Sequence, residues 1–334
     1  MNFKAYIAFI VLTLLIVTLL SVSMVDALNG GLYIVVTFPN LIYDVKPLLC
    51  SGDYIVSIAP TGVDPHEYQL TPANVEDLRK ADIIISTGHA PFEKNIEEMV
   101  GREIKGELVI IPKIPDIKIL TNPATGKLNY HMPIYDPNNY ILFIKYVSEV
   151  LAHKRPECAN HYYERAKDVV DEISSLINHT PKVNIIAVAD TPTTQYAVSW
   201  IGIRIKYLMI KEHGVPASPK DIESIVEAMK NGEVKLAIIN NPPRAKASES
   251  LKELAEKYGI PILYVPNPIG EGSILNKLTI ISNQVGNLST ETSEETASLK
   301  QSQFTIGENI VTAVLSLLLL FIVGFFIFTK ARGV

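Results

Sequence analysis

The run Ala59-Pro60-Thr61-Gly62-Val63-Asp64-Pro65-His66-Glu67-Tyr68-Gln69-Leu70-Thr71-Pro72 decides how the chain is read. A β-rich segment, residues 54–59, leads into it. A helical pattern over 73–82 and an apolar strand over 83–86 follow at once. A neutral imidazole on a loop outside a strand end is where a metal ligand would be placed. Pro65 and Pro72 restrict the backbone on either side, so less entropy is lost when the loop is ordered. Taken alone, His66 reads sooner as an ordinary exposed loop histidine than as a ligand.

The same alternation extends in both directions. Strands are expected at 32–37, 54–59, 83–86 and 108–114, and a helix at 41–50. From Pro137 the pattern turns helical, with Tyr140, Phe143, Ile144, Val147, Val150 and Leu151 on one stripe. A second helical segment, 157–177, carries Val169, Val170, Ile173, Leu176 and Ile177 on one face. Strands then return at 183–189, 234–240 and 261–266. Helices are expected between them at 196–200, at 218–229 with Ser218 as N-cap and Pro219 in the first turn, and at 247–258. Strands alternating with helices predict an α/β fold of two lobes, each a parallel-sheet sandwich. The stretch 28–286 is long enough for two cores.

The ends carry other signals. Lys4, an apolar run over 5–20 and the small residues ending at Ala27 have the layout of a signal peptide, 1–27, with an uncleaved anchor as the alternative. No cysteine lies near that junction, so a bacterial-type lipid anchor is not expected. Residues 287–308 are rich in Ser, Thr and Glu and read as a stalk. Residues 309–329 are apolar enough for a transmembrane helix, and Lys330 and Arg332 place the tail, 330–334, in the cytoplasm. The expected localisation is the cell membrane, single-pass, with the core outside. The sequons at Asn178 and Asn287 are compatible with export. A net charge of −5 with no basic, aromatic-interleaved stripe gives no case for nucleic acid. The two cysteines, Cys50 and Cys158, could form a disulfide, or Cys50 could simply be buried.

The first loop resembles the signature of the zinc/manganese (cluster A-I) family of ABC-transporter solute-binding proteins, which reads "PPGADPHDYEPTPSD…L..AD". Pro60, Gly62, Asp64, Pro65, His66, Tyr68, Thr71, Pro72, Leu78, Ala81 and Asp82 carry the match, and a weaker similarity runs from about Leu32 to Gly270. The resemblance implies an N-terminal lobe at 28–150, a long rigid connecting helix at 151–180 and a C-terminal lobe at 181–286. It also implies a metal site in the cleft between them.

Open parallel sheets bind ligands beyond the carboxyl ends of their strands, so four loops matter. His66 fits the family's first histidine. His131, in Asn129-Tyr130-His131-Met132-Pro133-Ile134-Tyr135-Asp136-Pro137, fits that of "DPHVWLDP", with one extra residue before Asp136. In the second lobe the pattern departs: Thr191 stands where "HDAFGYFAKRYG" has its histidine, Asn241 at the glutamate of "VEPQ", and Asn267 at the aspartate of "YLDPLG". Asp190 could offer a carboxylate or act as a helix cap. His89, in the loop where the family has "NGLGLE", could enter the cleft or be solvated. The expected ligand set is thus His66, His131, Asp190, Asn267 and His89. Its affinity should be below the family's, because carboxamide oxygens are weak donors for a divalent ion. His153, His161, His179 and His213 read as surface residues.

The function this implies is a membrane-anchored protein, monomeric in its soluble part. It captures zinc or manganese as a transported ligand for an ABC permease with its ATPase, without an organic cofactor and without catalysis. The chain has no phosphate loop, nucleophile elbow or HExxH. One rival keeps the fold but binds a non-metal or chelated solute; a second is a surface interaction or adhesion protein that transports nothing. A metallohydrolase using His66 and His131 lacks a matched general base.

Overall fold

The computed structural model describes residues 30–243 and 246–287, with Leu315 and Ile322. The first sheet contains β1 (Tyr33–Val36), β2 (Tyr54–Ser57), β3 (Ile83–Ser86) and β4 (Glu107–Ile110), in the order β2-β1-β3-β4 and parallel throughout. β3 is buried along its whole length, as its unbroken apolar run requires of a parallel strand covered on both faces. Three helices accompany the sheet: α1 (Asn40–Val45), α2 (Pro72–Lys80) and α3 (Pro91–Met99). Val35, Phe38, Ile58, Leu78, Ile84, Phe92 and Ile96 form one core.

The second sheet holds β5 (Ile185–Ala189), β6 (Ile203–Leu208), β9 (Val234–Asn241) and β10 (Ile262–Pro266), ordered β10-β9-β5-β6 and again parallel. A small antiparallel hairpin, β7 (Ile210–Glu212) with β8 (Val215–Pro216), follows β6. Between the two sheets in sequence lie α4 (Pro137–Lys154) and α5 (Ala159–His179), which pack against each other. The helices of the second half are α6 (Gln195–Ser199), α7 (Pro219–Lys230) and α8 (Lys246–Tyr258). Its core is separate, built on Val188, Ile225, Met229, Val234, Ile239, Leu251 and Ala255. Read from the opposite edge, the second sheet runs β6-β5-β9-β10, which is the strand order of the first.

Two expected elements are shortened by proline. The helix expected at 41–50 ends at Val45 and tightens into a 3₁₀ turn, Lys46–Leu48, because Pro47 has no N–H to continue the ladder. The strand expected at 108–114 stops at Ile110 before a 3₁₀ turn containing Pro112. In α2, Thr71 is the N-cap and Pro72 the first helical residue; Thr71 Oγ1 accepts from Asn74 N at 3.2 Å and Asn74 Oδ1 from Thr71 N at 2.9 Å.

Cys50 and Cys158 form a disulfide that ties the first lobe to the chain just before α5. Beside it the buried Asp53 accepts from Arg155 Nη1 at 2.9 Å and Tyr162 Oη at 2.6 Å. At the other end of α5, Thr180 Oγ1 meets Ser282 Oγ at 2.7 Å. Among the described residues no helix is long and apolar enough to cross a membrane. The signal peptide, stalk, transmembrane helix and tail expected from the sequence lie outside the described stretches.

Candidate metal centre

Loops from the carboxyl ends of both sheets line one cavity of about 760 Å³. Three histidines stand on its first-lobe wall. His66, His89 and His131 each offer one ring nitrogen, and these three atoms lie within 4.8 Å of one another. The Nε2 atoms of His89 and His131 are 3.1 Å apart.

Each histidine is held by its own loop. His66 N donates to Asp64 Oδ1 at 2.9 Å, which closes the turn of the quoted motif. Tyr68 anchors that turn, with its hydroxyl 3.0 Å from Ile58 O and its ring against Phe92. His89 sits on a loop organised by the buried Glu93 of α3. The Glu93 carboxylate accepts from Ser86 Oγ, Thr87 N, Thr87 Oγ1, His89 N and Ala90 N, all within 3.0 Å. Gly88 takes φ +70°, a left-handed conformation that glycine adopts without strain.

His131 is oriented through Asn129. The Asn129 Nδ2 group donates to Pro192 O at 2.9 Å and Gln195 Oε1 at 2.8 Å, which turns Oδ1 towards the imidazole. His131 Nδ1 then donates to that oxygen at 2.7 Å, leaving the Nε2 lone pair directed at His89. A ligand histidine whose other nitrogen is tied to an acceptor has its tautomer and ring plane fixed. The extra residue before Asp136 is absorbed by Met132 at φ +52° and a 3₁₀ turn, Pro133–Tyr135, so that Asp136 still caps α4 by accepting from Asn138 N at 2.8 Å.

Burial favours the neutral form of all three rings. It pushes His131 down to about 3, with His89 and His66 adding to the effect. His89 is lowered by burial and then by His66. His66 is lowered by burial and then by His213, against an opposing pull from Asp64. Near neutral pH the cluster therefore presents unprotonated nitrogens.

The second lobe is organised differently. Asp190 is fully buried and lies outside the histidine group. Its Oδ1 accepts from Asn240 Nδ2 at 2.9 Å, and its Oδ2 from Asn240 N at 2.9 Å and Ser248 Oγ at 2.7 Å. The carboxylate thus clamps β5, β9 and α8 together. Thr191 Oγ1 accepts from Asn240 Nδ2 at 2.8 Å and meets Thr193 Oγ1 at 2.7 Å. Asn267 lines the cavity, but its Oδ1 accepts from Ile269 N at 3.1 Å. At the end of β9 it is Asn240 that lines the cleft, while Asn241 is exposed, as alternation along a strand requires.

One residue placed among the surface histidines in the sequence belongs to this wall. His213 is exposed, yet it lines the cavity and stacks on His66, with ring centroids 4.2 Å apart and planes 25° from parallel. Its hairpin gave a weak signal, because Pro216 argues against a strand.

A sequence profile of the family described as "Zinc-uptake complex component A periplasmic" (ZnuA) matches residues 34–302. The chain belongs to this family. Among its relatives, the manganese ABC transporter substrate-binding lipoprotein PsaA of Streptococcus mitis is 24% identical over 253 residues, covering 71% of this chain and 80% of that protein. The iron-binding protein YfeA of Yersinia pestis is 23% identical over 265 residues, 75% of this chain and 83% of that one. Solved structures agree on the fold. A crystal structure of ZnuA superposes with a TM-score of 0.63 at 16% identity, covering 77% of this chain and 99% of that one. The Pseudomonas aeruginosa protein FpvC, in complex with Mn²⁺, gives 0.63 at 15%, with the same coverage. The ZnuA-family relatives are transport binding proteins rather than enzymes.

Proposed function

We propose that the protein captures a divalent transition metal in the inter-lobe cleft, with His66, His89 and His131 as ligands, and passes it to an ABC permease and its ATPase. The convergence of three ring nitrogens within 4.8 Å carries this reading. The metals named for the relatives, zinc, manganese and iron, support the class of cargo. Three imidazoles form a borderline-soft, nitrogen-rich set, which suits zinc better than manganese, an ion that favours oxygen. Asp190 and Asn267 act in this reading as parts of the wall rather than as ligands. The proposed organisation keeps lobes at 28–150 and 181–286 joined through 151–180, with export directed by 1–27 and an anchor at 309–329.

The test is elemental analysis of the full chain purified without chelator, followed by competition titration against a chromophoric zinc chelator. One equivalent of zinc, displaced less readily than manganese, is the expected result. A chain that takes up no divalent ion would sink the proposal and leave the solute-binding rival.

A further inference from the structure

The two sheets share one strand order, so each loop of the first lobe has a counterpart in the second. His66 follows β2, the second strand of its lobe. The β7–β8 hairpin follows β6, the second strand of the other. The pairing of Glu212 with Val215 leaves His213 and Gly214 as a two-residue turn, with Gly214 at φ +71° in the second central position, where a type II turn favours glycine. Counterpart loops therefore bring His66 and His213 face to face across the cleft.

We propose that His213 is the second-lobe ligand of the captured ion and fills the place that Thr191 cannot. The proposal rests on the metal reading above. Three first-lobe nitrogens leave one position of a tetrahedral ion to be filled, and His213 is a further imidazole lining the same cavity. Thr191 Oγ1 is held by Asn240, and Asn267 Oδ1 by Ile269 N. Glu212 lies 3.5 Å from Lys127 Nζ. His213 is exposed, so its ring can turn about its side-chain torsions while the hairpin stays in place. The His213 and His66 ring centroids are 4.2 Å apart, so a turn of the His213 side chain out of the stack would bring both rings onto one ion. The base of the hairpin is fixed: Ile210 N donates to Asp190 O at 2.9 Å, Ala217 N to Met209 O at 2.8 Å, and Asn122 Nδ2 to Lys211 O at 2.7 Å.

Zinc K-edge X-ray absorption of the zinc-loaded full chain tests this, because multiple scattering counts coordinated imidazoles. Four imidazoles in the natural protein and three in His213→Ala are expected. The affinity should fall by at least the roughly tenfold that loss of even an outer-shell partner brings. Since His213 is an exposed turn residue, the melting temperature of the metal-free variant should be unchanged, which separates ligand loss from misfolding. Three imidazoles in both proteins would remove His213 from the site while leaving the triad intact. A natural protein that binds no zinc would overturn the triad and this inference together.

Discussion

The two lobes are built on one strand order and do opposite things with their strand-end loops. The first lobe aims polar side chains into the cleft: Glu93 and Asn129 hold His89 and His131 with their ring nitrogens outward. Outside the hairpin that carries His213, the second lobe turns its polar side chains on one another, Asp190 on Asn240 and Ser248, and Thr191 on Asn240. The same topology thus yields a donor surface in one half and a self-satisfied hydrogen-bond network in the other. What separates them is where each polar side chain finds its partner.

The largest expected effect concerns covalent support, which in the described residues falls only on the first side. Closing a loop of 108 residues, the Cys50–Cys158 bond should contribute about 4 kcal/mol by restricting the unfolded chain. Cys50→Ser with Cys158→Ser should lower stability to denaturant by that order. Hydrogen exchange should rise most in the first sheet. Equal loss of protection in both sheets would show that the lobes unfold as one unit and erase this part of the contrast.

Next comes the contrast in ligand roles. His131→Ala or His89→Ala should weaken zinc binding by more than the roughly 10–100-fold typical of outer-shell changes. Asn267→Ala, on the other wall, should cost less than tenfold. Competition titration of the three variants decides it, and a loss at Asn267 matching that at His131 would place second-lobe oxygen in the coordination sphere.

A third measurement uses acidity. Free histidine titrates near 6.5, and unburied imidazole ligands would lose a metal around that pH. Burial lowers all three ring values, His131 to about 3, so the loss should be centred below 6.5. The sign for stability follows from proton counting. Below 6.5 the unfolded chain binds protons that the folded rings refuse, so the metal-free protein should lose stability as pH falls from about 6.5 towards 3. Affinity midpoints from pH 4 to 8 test the first part, and melting over the same range the second. A midpoint at or above 6.5 would mean the rings are not buried as described.

The smallest effect is expected from repairing the second lobe. Thr191→His with Asn267→Asp restores the groups of the resembling family, but a histidine at 191 must displace the Asn240–Thr193 network first. The gain in zinc affinity by calorimetry should stay under about tenfold. A larger gain would show that the second lobe is a weakened donor surface rather than a closed one.

Much of this was legible in the sequence. Long apolar runs such as Ile83–Ser86 and the stripe of α4 gave the strands and helices, because burial on both faces, or on one face at helical spacing, leaves a direct mark. The motifs point to His66 and His131, and the structure brings both to one wall of the cavity. Less legible was the stretch after Gly202. Ile203-Arg204-Ile205-Lys206 alternates as an edge strand should, and that signal was available, but the short hairpin beyond it has only tertiary support. The place of His213 on the cavity wall is not readable from the sequence for that reason. The internal engagement of Asp190 could not be read either, since its partners Asn240 and Ser248 lie far along the chain and only the fold brings them together.

The inward turn of Asp190 has an electroneutrality consequence. Imidazoles are uncharged donors, so an ion held by them keeps its full double charge within the cleft. Around the cavity stand three carboxylates, of which Asp190 is engaged by Asn240 and Ser248 and Glu212 is shared with Lys127, leaving Asp64. A cation in a cleft of reduced dielectric draws a counter-charge more strongly than it does in water. The cleft should therefore take up its cargo together with a small anion, and chloride, bicarbonate or phosphate in the buffer should raise the apparent affinity in a way that a carboxylate-ligated site would not show.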